Sequence, residues 1–222
     1  SNLAKKIIIK DSQNIIYPLF NSKHKSNKSI NEDHSLSKLC MRLFDDNSHN
    51  YFYGQIYAPS NYTLDYIRSK LKINFKVSEM IDNKINKYLR SIYFLHGYLP
   101  SEYSSKIVIS KEKDLIISKQ IRSFDKLILN YTETMLKDFF KDTGFTMINF
   151  LKIITPSLHS YHFGASLPMN KTPSLNETDI YGQLKDFKDF HIIDSTILPT
   201  IPSTSISSLT MLNSYRIAFE SC

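Results

Sequence analysis

The chain is poor in glycine, nearly free of cysteine, and holds no apolar run of the roughly 18 residues that a bilayer-spanning helix requires. Each scarcity excludes something. Cys40 and Cys222 stand far apart and match no metal-ligand or redox spacing, so no disulfide framework is expected, and a reducing, cytoplasmic setting is the default. The five glycines, Gly54, Gly97, Gly144, Gly164 and Gly182, are nowhere close together. A Gly-x-Gly-x-x-Gly turn, which seats a pyrophosphate on a helix N-terminus, is therefore excluded. The run Lys5-Lys6-Ile7-Ile8-Ile9 has basic residues before apolar ones, but it is too short for a signal-peptide core and no small-residue cleavage site follows. Secretion is not expected.

What is present fits a globular chain. Its 222 residues suffice for one large domain or two small ones, and 41% hydrophobic with 13% aromatic residues can build a core without staples. The net charge of +7 raises the question of nucleic acid, but the 28 basic residues are dispersed among 21 acidic ones. Dispersed charge focuses little field, and no basic cluster pairs with a stacking pattern of aromatics. A solvated surface is the expectation, with no nucleic-acid partner.

Residues 14–20 read as a strand interrupted by Pro18, and 21–34 as a loop. Leu36, Leu39, Cys40 and Leu43 stand at helical spacing, which predicts a helix over 35–44; a second helix is expected over 61–71. From Tyr51 to Ala58 the residues alternate with period two, Tyr51, Tyr53, Gln55 and Tyr57 against Phe52, Gly54, Ile56 and Ala58, as in a strand with two differently used faces. Residues 90–99 form another strand candidate, and Lys106–Ile109 with Leu115–Ile117 read as a hairpin. Over 123–142 the apolar residues Leu127, Leu129, Tyr131, Met135, Leu136, Phe139 and Phe140 predict an amphipathic helix, with Gly144 suited to its C-terminal end.

The last third changes character. Residues 159–170 read HSYHFGASLPMN, 179–182 DIYG, 190–205 FHIIDSTILPTIPSTS, and ISSLTMLNSYRIAFE forms a closing helix. His162, followed by Phe163 and Gly164, sets a ring that titrates at about 6.5 beside a residue that admits close backbone approach. Such a ring can act as a general base at neutral pH, or be a hydrogen-bonded structural histidine. His191-Ile192-Ile193-Asp194 reads as a buried strand delivering Asp194 and Ser195 at its C-terminal end, where ligands bind in open sheets; Asp194 suits a loop cap equally well. Ser203-Thr204-Ser205 fit an N-cap, which leaves the backbone N–H groups of Ile206 and Ser207 as an anion site.

In this order the segments resemble the C-terminal signature of the glucose-methanol-choline oxidoreductases, clearly over about 65 residues and loosely before them. The resemblance implies an α+β fold. Residues 1–156 would form most of a substrate-binding domain, an antiparallel sheet with helices on one face, and 157–222 would supply the C-terminal strand and helix of an FAD-binding domain. It implies oxidation of a CH–OH group of an alcohol or carbohydrate, with hydride passing to FAD, His162 as proton acceptor, and Gly164, Asp194, Ser195, Ile206 and Ser207 against the cofactor. The family places histidine or asparagine where this chain has Ser205. Serine donates and accepts hydrogen bonds but is no general base at neutral pH, so Ser205 is expected to orient the hydroxyl. The missing glycine-rich turn implies a flavin-gripping segment supplied in cis or in trans. The reading of another class is a non-catalytic binding or interaction module derived from the substrate domain.

Competing constellations are weaker. His159 and His162, with Asp179, His191 or Asp194, could make a metal set, but Gly164 and Pro168 deny this stretch the helix that would align them. Gly164-Ala165-Ser166-Leu167-Pro168 lacks the second glycine of a hydrolase nucleophile elbow. The aromatics Tyr51, Tyr53, Tyr57, Tyr93, Phe94 and Tyr98 read as core and cross-strand pairs or as a sugar-binding face.

Overall fold

A computed structural model describes residues 6–23, 37, 39–44, 50–70, 88–112, 115–122, 125–156, 159–185, 187 and 189–221. Most of the loop expected over 21–34, and the beginning of the helix expected over 35–44, lie outside them. The chain forms two compact units, each discontinuous in sequence: unit 1 takes 1–14, 98–126 and 155–222, and unit 2 takes 15–97 and 127–154. The expected division after residue 156 stands beside the last of these crossings, and the earlier segments interleave. Among the described residues no helix is long and apolar enough to cross a membrane.

Unit 2 is built on an antiparallel sheet in the order β3 (Leu39–Phe44), β4 (Asn50–Tyr57), β5 (Ile92–Tyr98), β2 (Asn14–Asn21), β8 (Phe145–Met147), with β9 (Ile153–Ile154) also pairing with β2. Among the described residues α1 (Asn61–Lys70) and α2 (Lys126–Phe140) accompany it. In α2 the buried residues Leu129, Thr132, Leu136 and Phe140 recur every three or four positions, whereas Leu127, Tyr131, Met135 and Phe139 of the face expected from the sequence are exposed.

The helices lie on opposite faces of the sheet, which corrects the expectation of one face. Successive side chains of a strand point to opposite sides. On β2, Ile16 and Phe20 pack with Ile67 of α1 and with Ile92 and Phe94 of β5. From the other side of β2 the Tyr17 hydroxyl donates to Glu133 of α2 at 3.4 Å, and Glu133 also pairs with Lys152 at 2.6 Å. Phe140 of α2 meets Phe145 at 5.9 Å, and Phe145 meets Tyr93 at 5.3 Å, so odd-numbered β5 residues share the α2 side.

A second correction concerns 39–44, expected as helix and found as strand. Leu39, Cys40, Met41, Arg42 and Leu43 pair with Ile56, Gln55, Gly54, Tyr53 and Phe52 of β4. Helical spacing is compatible with alternation over so short a run, and the ladder to β4 decides between them. A bulge between Leu43 and Phe44 leaves Tyr51 without a register partner on β3, and its ring turns to Tyr131 of α2 at 5.7 Å.

Unit 1 carries the other antiparallel sheet, in the order β10 (Phe163–Gly164), β1 (Lys6–Asp11), β6 (Lys106–Glu112), β7 (Leu115–Arg122). The expected hairpin is β6–β7, longer than its apolar core suggested. The Lys5–Ile9 run, read in sequence only as a leader candidate, contributes its described part to β1, paired with β6 from Lys6↔Ser110 to Lys10↔Lys106. The terminal helix α3 spans Ile206–Ser221. His191–Asp194 corrects a further expectation: His191 forms an isolated bridge with Gln183, no strand follows, and Ile193 and Asp194 are exposed.

Packing in unit 2 is tight enough to test with one methyl group. A Cβ at Gly97 would stand 2.4 Å from two ring atoms of Phe52, which is fully buried. Gly97→Ala is expected to destabilise the fold by about 1–3 kcal/mol, read as a lower urea midpoint, because the ring has to leave its place. An unchanged midpoint would mean that Phe52 is not held there.

Candidate functional site

The candidate residues of the last third sit in unit 1, where backbone contacts assemble several of them. Gly164 lies in β10, in register with Lys10 of β1. A Cβ on Gly164 would meet the Ser195 carbonyl oxygen at 2.4 Å, so only glycine fits. The closeness expected for a cofactor is thus occupied by the protein's own backbone. The Ser195 carbonyl accepts the Ala165 N–H at 2.9 Å, and the Ser195 hydroxyl donates to the Phe163 carbonyl at 3.0 Å. The run continues with Leu167 N–H to Thr196 O at 2.9 Å and Met169 N–H to Ile197 O at 2.8 Å. Gly164 and Ser195, thirty-one positions apart, are neighbours.

Asp194 caps the short 3-10 turn Ser195–Ile197. Its Oδ1 accepts the Thr196 N–H at 2.9 Å and also the Thr196 hydroxyl. The capping role read from the sequence is therefore present. Ile206 is half-buried against Ala165, Leu198 and Ile201, while Ser205 and Ser207 are exposed at the start of α3. Among the described residues Ser205 shares no hydrogen bond with His162. Ser203 is buried, and its hydroxyl has no hydrogen-bond partner among the described residues.

His162 is held by its backbone. Its N–H donates to the Ser160 hydroxyl at 3.1 Å, and its carbonyl accepts the Ser12 N–H at 2.9 Å. The Ser160 hydroxyl in turn donates to the Asp11 carboxylate, and both residues are fully buried. Tyr161 before it and Ala165 after it have φ of 65° and 51°, left-handed conformations that cost non-glycine residues energy and concentrate at functional sites. The His162 ring stacks on Tyr98, with centroids 4.6 Å apart and planes inclined by 29°. Its Nδ1 is buried with no hydrogen-bond partner among the described residues.

Burial pushes the His162 pKa below its ordinary value, and the Asp11 charge only partly offsets this. The ring is therefore neutral at pH 7, with an imidazole nitrogen uncommitted. His191 is the contrast. Its Nδ1 lies 2.7 Å from the Tyr181 carbonyl and its Nε2 is 3.0 Å from the Gln183 amide nitrogen. Donation by Nδ1 and acceptance by Nε2 occupy both nitrogens, so His191 is structural and offers no lone pair to a metal. Asp179 is structural as well: its Oδ1 accepts the N–H groups of Tyr181 and Gln183, closing a turn in which Gly182 adopts φ 77°.

Reading the sequence missed Asp11, Ser12, Tyr98 and Ser160. One signal was available for the first two. The polar run Asp11-Ser12-Gln13-Asn14 follows directly on an apolar strand, and a polar run that stays in the core has to be paired. Tyr98 reaches His162 through tertiary structure alone, and Ser160, two positions before it, is fixed by its bond to the distant Asp11.

No family model matches the chain, and no curated protein matches it.

The lowered His162 pKa has a defined sign in stability. As pH falls below about 6.5, the unfolded imidazole binds its proton before the folded one, so stability declines from there to the folded pKa and then levels off. His96, also pushed down by burial, acts in the same direction. The C2 proton of His162 is expected to titrate by NMR with a midpoint below 6.5, and His162→Asn should lessen the acid sensitivity of the melting temperature. A midpoint at or above 6.5 would contradict the burial of the ring.

Proposed function

We propose that the chain is the C-terminal portion of an FAD-dependent oxidoreductase of glucose-methanol-choline type, acting on CH–OH groups. The observation that carries this reading is the state of His162: neutral, stacked on Tyr98, fixed through its backbone, and with a buried Nδ1 that nothing among the described residues satisfies. A structural histidine normally has its nitrogens paired, as the half-buried His191 does. An unpaired nitrogen on a ring whose backbone is over-determined is what accepting a proton from a substrate hydroxyl requires.

Two further observations support a cofactor partner. The orphaned Ser203 hydroxyl stands three residues before α3, whose first N–H groups form the positive end of a sixteen-residue helix. These groups fit an anionic, hydrogen-bonding ring edge, and Asp194, Ser195, Ile206 and Ser207 are the residues that would hold FAD, with Gly164 packed on the Ser195 backbone behind them. When bound, FAD supplies the hydride acceptor. Then α3 leaves Met211, Leu212, Tyr215 and Phe219 between 69% and 76% exposed, at spacings that put them on one side of the helix. An apolar stripe of this kind marks a docking surface, and a dinucleotide-binding segment in cis or in trans is the partner proposed.

In this reading His162 and the residues proposed to hold FAD all belong to unit 1. His162 removes the hydroxyl proton, and Ser205 orients the substrate hydroxyl as donor or acceptor. The lowered pKa keeps the imidazole ready at neutral pH. The free, exposed Cys40 thiol fits a reducing, cytoplasmic setting.

The test is stopped-flow reduction of the flavin in the complete protein by an alcohol or sugar substrate. His162→Ala is expected to slow flavin reduction by about 10²- to 10⁴-fold, the usual contribution of a positioned base. An unaffected rate would remove His162 from the proton transfer.

A further inference from the structure

From Phe52 onward β4 keeps strict alternation. Phe52, Gly54 and Ile56 turn to the α2 side, where ideal Cβ positions at Gly54 and Gly97 run into Leu95 and Phe52. Tyr53, Gln55 and Tyr57 turn to the opposite side. Cys40 and Arg42 join them as the β3 partners of Gln55 and Tyr53, and His96 of β5 as the ring against Tyr57. A sheet face near water ordinarily carries flexible charged side chains. This one carries two phenols, an amide, an imidazole and a thiol, and its cation, Arg42, lies over the Tyr53 ring at 5.9 Å.

The polar groups form a connected row. The Tyr57 hydroxyl donates to Gln55 Oε1 at 2.8 Å, and the Gln55 amide nitrogen donates to the Tyr53 hydroxyl at 3.2 Å. The His96 ring stands edge-on to Tyr57, 4.9 Å away at 65°. Burial holds His96 below its ordinary pKa and Tyr57 above its own. A hydrogen bond with Cys40, followed by burial, raises Tyr53. At neutral pH Tyr53, Gln55, Tyr57 and His96 are therefore uncharged, and all four end in planar groups.

We propose that Tyr53, Gln55, Tyr57 and His96 form a binding face for a neutral polyhydroxylated molecule, a saccharide or polyol. A hydroxyl both donates and accepts, and so does each group in this row. The amide of Gln55 keeps a second N–H and further acceptor capacity, which suits adjacent hydroxyls, and the tyrosine rings offer faces to a sugar's C–H surface. An apolar ligand would strip water from the row without replacing its hydrogen bonds. An anion would find its cation already engaged over an aromatic ring. As a substrate site this face rests on the oxidoreductase reading; as a binding surface it stands on unit 2 alone.

Saturation-transfer NMR on the full chain tests it, with D-glucose and sorbitol as probes and 1-hexanol as the apolar comparator. Tyr57→Phe keeps the ring and removes one hydroxyl, and Gln55→Ala removes the amide; circular dichroism checks that both variants fold. Each substitution is expected to weaken sugar or polyol binding about 3- to 10-fold, the loss of one or two hydrogen bonds. The proposal is overturned if neither probe receives saturation at up to about 100 mM, if both variants bind as the parent does, or if hexanol binds as well. None of these readings involves flavin. Sugar binding by this face, together with no FAD retained even when a dinucleotide-binding segment is supplied, would sink the oxidoreductase reading alone.

Discussion

The four consecutive polar residues Asp11-Ser12-Gln13-Asn14 are at most 4% exposed, and a buried polar run is tolerable only when its groups are paired. The partners come from distant parts of unit 1. Gln13 donates its backbone N–H to the Ser104 hydroxyl at 2.8 Å and its side-chain amide to the Thr155 carbonyl at 2.7 Å. The Ser12 hydroxyl donates to the Leu99 carbonyl at 2.9 Å, and Leu99 N–H returns a bond to the Gln13 carbonyl at 3.0 Å. Asp11 takes the Ser160 hydroxyl. Three stretches of chain are thereby fastened to the end of one strand, and the His162 loop is one of them.

That fastening accounts for the character of the site. With its N–H and C=O both spent on the Ser160 hydroxyl and the Ser12 amide, His162 has a fixed backbone and needs no bond from its ring to stay in place. The ring packs on Tyr98 instead, loses water, and stays neutral. On the other side Gly164 presses against Ser195, which sets the Asp194 turn beside it. The half-buried His191 shows the other solution available to an imidazole, both nitrogens satisfied and no chemistry left.

Much of the architecture was legible because local pattern and tertiary pairing agree there. The alternation from Phe52 to Tyr57, the existence of helix α2 and the β6–β7 hairpin each follow from spacing, while Tyr51 departs from the alternation at the β3–β4 bulge. Where a short segment fits two periods the pattern fails: Leu39–Phe44 satisfies helical spacing as well as a strand, and only the ladder to β4 decides. The helices' placement on both faces was equally hidden, because it depends on which neighbour each side of β2 meets. His191–Asp194 has the composition of a buried strand yet pairs only at His191. In the site, His162, Gly164 and Ser195 were readable from motif order. Asp11, Tyr98 and Ser160 were not, since each acts across a long sequence separation.

Under the proposed function, this chain would contribute the proton-accepting half of a flavin site and draw the flavin-gripping half from a dinucleotide-binding segment. Titrating FAD into the chain with and without such a segment, and following retained flavin absorbance after desalting, tests it most directly. The account predicts FAD retained only when the segment is present. No retained flavin in either case would contradict it and leave the sheet and its polar face as a binding module without the redox chemistry.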